Sequence, residues 1–80
     1  MPRYFFDVHD GTRMQRDDDG TECGTVEDAR THTKQVLPAI ALHELPPDGD
    51  RMAYTVLVRD EENNLIYSGT LSFTGLMLRP

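Results

Sequence analysis

Val26, Ala29, Thr33, Val36, Leu37, Ile40, Ala41 and Leu45 recur at three- and four-residue steps and form a single apolar stripe. This is the only substantial helix the sequence predicts, so the remaining elements must be strands and loops packed against it. Thr25 stands where an N-cap belongs, and Asp28 takes the acidic position of a capping box, with a shorter arm than glutamate. Glu27 and Asp28 in the first turn also suit the helix dipole. Pro38 interrupts the pattern. It removes a backbone hydrogen bond and clashes with the carbonyl four residues back, which predicts a kink or a break into two short helices. Leu45 closes the stripe, and Pro46-Pro47-Asp48-Gly49 ends the helix.

Strand patterns flank the helix. Arg3 to His9 reads as a strand, with Tyr4, Phe5, Phe6 and Val8 aromatic or β-branched, and Asp7 and His9 alternating with Phe6 and Val8. Asp10-Gly11 is a strong turn signal because the pair tolerates positive φ cheaply. A short second strand is predicted over Thr12 to Arg16, with Met14 on the face opposite Arg13 and Gln15. Three consecutive aspartates cannot be buried, so Asp17 to Gly20 must be a loop or the exposed end of the hairpin. After the helix, Met52, Tyr54, Val56 and Val58 alternate with Ala53, Thr55, Leu57 and Arg59. Asp60 to Asn64 connects to a returning strand over Leu65 to Phe73, in which Gly69 marks either a bulge or a close backbone approach. The tail from Gly75 to Pro80 is apolar; it either docks, on the body or on a second subunit, or frays.

The predicted fold class is α+β, a two-layer β-β-α-β-β arrangement. One four-stranded antiparallel sheet carries one helix across one face, in a single domain spanning residues 1–80. Pairing of the first and third strands at the centre gives the order 2-1-3-4. Eighty residues suffice for one core only. Burial at ~25 cal/mol per Å² roughly cancels ordering entropy at ~1.5 kcal/mol per residue in a chain of this size. Extra burial in a dimer therefore matters more here than in a larger protein. Phe5 and Leu57 lie on the sheet face opposite Tyr4, Phe6, Tyr54 and Val56, and one helix covers only one face. The uncovered face is the predicted homodimer surface, although an antiparallel sheet also tolerates a partly apolar solvent face.

The formal charge of −6, from 14 acidic and 8 basic residues, disfavours a phosphate backbone as partner. Arg3, Arg13, Arg16 and Arg30 leave room for a local basic patch. The single cysteine, Cys23, excludes an internal disulfide and a multi-cysteine zinc site, and reads as a small hydrophobe. The amino terminus begins directly with strand-like residues, no signal peptide is expected, and no apolar stretch approaches the ~20 residues of a membrane span. A cytoplasmic location is the expectation.

Asp17, Asp18, Asp19 and Glu22 gather four carboxylates around Gly20, a donor set suited to a hard cation. The run fails as an EF-hand: with Gly20 at the sixth position, the first would be Gln15 and the twelfth Val26. A solvated loop is the plainer reading, and the same four residues are candidates for docking a basic partner by electrostatic steering. His9 with Asp7, and with Asp17 if the hairpin folds back, offers an oriented base, but no nucleophile or oxyanion donor cluster accompanies it. His32 and His43 lie eleven residues apart, too far for one metal on a straight helix. Tyr4, Phe5 and Phe6 could stack on nucleic-acid bases, but adjacent strand residues alternate faces, and core aromatics explain them better. No catalytic residue, metal site or cofactor is assigned. The leading expectation is a small non-enzymatic, self-associating protein-interaction domain. The alternatives are an enzyme or metal-dependent module using His9 with Asp7 and Asp17, and a nucleic-acid-associated regulator.

The stretch Met1-Pro2-Arg3-Tyr4-Phe5-Phe6-Asp7-Val8-His9-Asp10-Gly11, followed by Asp18-Asp19-Gly20-Thr21-Glu22 and an Ala29-containing helix, resembles a known family. These are short uncharacterised domain proteins common in rhizobia and related alphaproteobacteria, which often begin with Pro-Arg-Tyr-Phe-Phe. The likeness extends through Val56-Leu57-Val58-Arg59-Asp60-Glu61; the sequence departs from the pattern at Pro38 and in the tail. The resemblance implies a bacterial origin and a shared small fold, and carries over no activity, substrate or catalytic residue.

Overall fold

The computed structural model of the chain describes residues 2–44 and 49–79. The predicted helix end at Leu45 to Asp48 lies outside them. Strand β1 (Arg3–His9) pairs antiparallel with β4 (Arg51–Arg59), from Phe5 opposite Arg59 to His9 opposite Thr55. Strand β4 in turn pairs with β5 (Leu65–Thr74). The other side of β1 differs from the expected strand over Thr12 to Arg16. Two short segments take its place: β2 (Met14–Gln15) pairs with Val8 and His9, and β3 (Thr21–Glu22) pairs with Arg3 and Tyr4. The order is β2-β1-β4-β5, with β3 also on β1, so the sheet has five strands rather than four. The split has a local cause, because Asp17 reaches β1 between the two segments with its side chain.

Helix α1 (Val26–Glu44) crosses one face of this sheet, completing the α+β arrangement. Its capping box is reciprocal despite the short aspartate arm. The Asp28 N–H donates to Thr25 Oγ1 at 3.1 Å, and the Thr25 N–H donates to Asp28 Oδ2 at 3.2 Å. The helix runs as one element through Pro38, and the predicted break does not occur. Pro38 and Lys34 are both exposed, so the turn that loses its hydrogen bond lies on the solvent side, where water can replace it. Val26 does not join the stripe and is 50 % exposed; Cys23, just before the helix, fills the core instead.

The core comprises Tyr4 and Phe6 of β1, Tyr54, Val56 and Val58 of β4, Ala29 and Leu37 of α1, and Cys23. The Phe6 ring meets His32 edge-on, with centroids 4.6 Å apart. Thr33 is buried, and its hydroxyl is satisfied by donation to the Ala29 carbonyl at 3.0 Å. Gly69 marks a close approach rather than a bulge. A Cβ there would stand 2.9 Å from Thr33 Cγ2, so only glycine lets helix and strand come this near. The sheet irregularity falls elsewhere: Val58 faces Tyr67 and Arg59 faces Leu65, leaving Ile66 as the extra residue.

Because β1 reaches no further than Thr55, Arg51 to Tyr54 and their partners Leu71 to Thr74 continue as a two-stranded arm. The molecule is correspondingly elongated, 53 × 21 × 18 Å. The Gly75 N–H donates to the Asp50 carbonyl at 2.7 Å and closes the arm. Beyond it, Leu76, Met77 and Leu78 are 81 %, 78 % and 87 % exposed, so this apolar tail does not dock on the body. Among the described residues no helix is long and apolar enough to cross a membrane.

Candidate functional site

Strand alternation divides β1 and β4 between two faces. Tyr4, Phe6 and Val8, with Tyr54, Val56 and Val58, form the helix side; Phe5, Asp7 and His9, with Thr55, Leu57 and Arg59, form the open side. On the open side Arg59 and Asp7 are diagonal neighbours, and the pair is bidentate. Arg59 Nε donates to Asp7 Oδ2 at 2.7 Å, and Nη2 donates to Oδ1 at 3.1 Å. Their side chains are only 11 % and 6 % exposed. Arg59 Nη2 also donates to the Asp17 carbonyl at 3.0 Å, and Nη1 donates to Asn63 Oδ1 at 3.1 Å. The guanidinium carbon lies 4.9 Å from the centre of the Phe5 ring.

Asp17 is built into the same network. Its N–H donates to Asp7 Oδ1 at 2.9 Å, and its Oδ2 accepts the Phe6 N–H at 3.0 Å. Its Oδ1 accepts the N–H groups of Asp19 and Gly20, at 3.2 and 3.0 Å. Gly20, at φ +75°, lies over β1; a Cβ there would fall 2.6 Å from Arg3 Cγ and 2.9 Å from Phe5 Cε1. Arg3 clamps the loop from the other side, with Nη1 donating to the Asp19 carbonyl at 2.9 Å and Nη2 paired with Glu22 Oε1 at 3.3 Å. The acidic loop is thus folded down across Phe5 and held by two arginines.

The charges respond to this geometry. The hydrogen bonds from Arg59 hold the Asp7 carboxyl below its ordinary 3.8, against the opposing pull of burial. Burial pushes Asp17 up, but the N–H groups of Gly20, Phe6 and Asp19 outweigh it and leave that carboxyl lowered as well. Arg59 is raised by its bonds to Asp7. Burial, with Asp28 nearby, pushes the Cys23 thiol up, away from the thiolate form a nucleophile needs.

The residues singled out from sequence therefore separate. Asp17 is a structural member of the fold, while Asp18, Asp19 and Glu22 are exposed at the surface. His9 Nδ1 accepts the Gly11 N–H at 3.1 Å within the turn, while the carboxylates of Asp7 and Asp17 engage Arg59 and backbone N–H groups. Among the described residues no group of three or more His, Cys, Asp or Glu is placed to hold a metal ion. Phe5 and Leu57 share the open face and are both half-buried, Phe5 beneath the acidic loop. Around them that face carries Asp7, His9 and Arg59 and the Thr55–Thr70 hydroxyl pair at 2.9 Å, with exposed Leu65 opposite Arg59.

Most of the apolar exposure lies elsewhere, on the arm and tail. Leu71 and Phe73, 37 % and 44 % exposed, line a groove of about 210 Å³ with Ala41, Met52 and Tyr54. Sequence reasoning missed Arg59. The available signal was an arginine and an aspartate on the same face of two strands expected to be neighbours.

Residues 3–72 match the family described as a domain of unknown function, DUF6894, and the chain belongs to that family. The match spans β1 to β4, the helix and β5 as far as Ser72, and stops short of Phe73 and the tail. No curated protein and no solved structure matches the chain.

Proposed function

We propose that this DUF6894 domain is a non-enzymatic protein-interaction module that associates with a second copy of itself. One observation carries the reading: of the nine large apolar side chains exposed among the described residues, five fall together in sequence, Leu71 and Phe73 of the arm and Leu76, Met77 and Leu78 of the tail, while Met14, Val26, Leu42 and Leu65 are scattered. The core they would supplement is small: among the described residues it holds eight buried apolar side chains. Burial at a subunit contact adds directly to the stability of so small a domain. The rival readings draw less support. Asp7, Asp17 and His9, the residues of an enzymatic or metal-dependent site, already hold strand, loop and turn together. Of the candidate basic patch, Arg3 is paired with Glu22 and Arg30 with Glu27, which leaves less positive charge for a nucleic acid.

Light scattering on the full chain eluting from a sizing column at micromolar concentration tests the proposal. It should give twice the 9.1 kDa chain mass, falling to the single-chain mass when Leu71 and Phe73 are both changed to serine. A mass of one chain for the unsubstituted protein would refute it.

A further inference from the structure

We infer that the outer edge of β5 is the surface of association, and that its occupant is the β5 edge of a second copy, added antiparallel across a two-fold axis. The inference rests on the self-association reading and specifies its geometry. Among the described residues strand β5 pairs only with β4, so one row of its N–H and C=O groups faces outward for ten residues. Exposed edges are normally protected by charge, proline, bulges or brevity. Leu65 to Thr74 contains no charged residue and no proline, in a chain that is 28 % charged. Its one irregularity, at Ile66, lies near an end and leaves Tyr67–Thr74 regular. The opposite edge of the sheet is different: β2, β3 and the loop fixed by Asp17 and Arg3 already occupy β1.

A second copy suits this edge on three counts. No acidic residue within the strand meets its own counterpart, although each chain carries a charge of −6. A two-fold axis perpendicular to the sheet puts both helices on one face, so Leu71 and Phe73 of the two copies meet beside Gly69, which has no side chain of its own. Antiparallel pairing also carries the tail, with Arg79, toward the partner's Asp60–Asn64 turn, where Glu61 and Glu62 are exposed. The regular stretch is centred between Thr70 and Leu71, which places the axis at one of these residues.

Residues directly opposite on antiparallel strands have Cα atoms about 4.5–5.5 Å apart, within reach of a disulfide. On a Cys23→Ala background, single cysteines at Thr70, Leu71, Ser72 and Leu65 would be oxidised at micromolar concentration, with circular dichroism to verify the fold. The expected result is a covalent dimer at Thr70 or Leu71 and little at Leu65. A Leu71→Lys variant should keep its circular dichroism spectrum and run at the single-chain mass. A dimer of the unsubstituted chain that forms no cross-link at Thr70 or Leu71, or that survives Leu71→Lys, would overturn edge pairing and leave self-association standing. Discovery that the unsubstituted chain is monomeric would overturn both, as would a captured strand from a different protein on a monomeric β5.

Discussion

Replacing Arg59 with methionine is expected to lower the free energy of unfolding by about 3–5 kcal/mol. Domains of this kind have only about 5–15 kcal/mol in total. The loss would arise less from the missing attraction than from what remains. Asp7, with a side chain 6 % exposed, would keep one bond from the Asp17 N–H and lose both bonds from the guanidinium. The Asp17 carbonyl and the Asn63 side chain would lose a donor as well. Removing both charges in an Asp7→Leu, Arg59→Met double change should cost less than Arg59→Met alone, since no ion is then stranded. Urea titrations of the three proteins decide the matter. Equal losses in the single and double variants would contradict a buried ion pair.

The same titrations carry a pH signature. Asp7 and Asp17 are both lowered in the folded protein. A carboxyl that is more acidic when folded contributes fully above its unfolded pKa of about 4 and loses that contribution as pH falls through the folded value. The urea midpoint should therefore hold from neutral pH down to about 5 and drop below about 4. In the double variant the drop should be shallower.

Asp17→Ala should have the next largest effect, about 2–3 kcal/mol, because it strands the Phe6 N–H and releases two N–H groups of the loop. Asp18→Ala and Asp19→Ala should lie within about 0.5 kcal/mol of the parent, as exposed substitutions do. Effects within about 0.5 kcal/mol for all three would mean that the acidic run is a solvated loop throughout, and three equal large losses would contradict a special role for Asp17. Melting curves of the three variants separate these outcomes.

The division of labour within that run explains what could be read in advance. Apolar periodicity located β1, α1, β4 and β5, because each side chain's face follows from the strand or helix period alone; the pairing of β1 with β4 was only allowed by the loop lengths. Thr25 and Asp28 were legible as a cap for the same local reason. The split edge strand was not. Asp17 substitutes for a strand partner by accepting the Phe6 N–H, and nothing in the sequence distinguishes it from Asp18 or Asp19. Arg59 and Asp7 are 52 residues apart, so their pairing depends on register, which alternation does not specify. The surplus expected on the open face, Phe5 and Leu57, is half-buried: the loop folds across Phe5, and β5 presents Ser68, Thr70 and Ser72 beside them. Leu71 and Phe73 are exposed instead on the arm, where β4 and β5 extend beyond β1.

Self-pairing at β5 is most directly tested by hydrogen exchange of the β5 amides at two protein concentrations. Exchange should slow with concentration at alternate residues between Tyr67 and Thr74, those whose N–H groups face outward, and by more than the slowing that the added stability brings to β1 and β4. Exchange at those β5 amides that is fast and independent of concentration would contradict it.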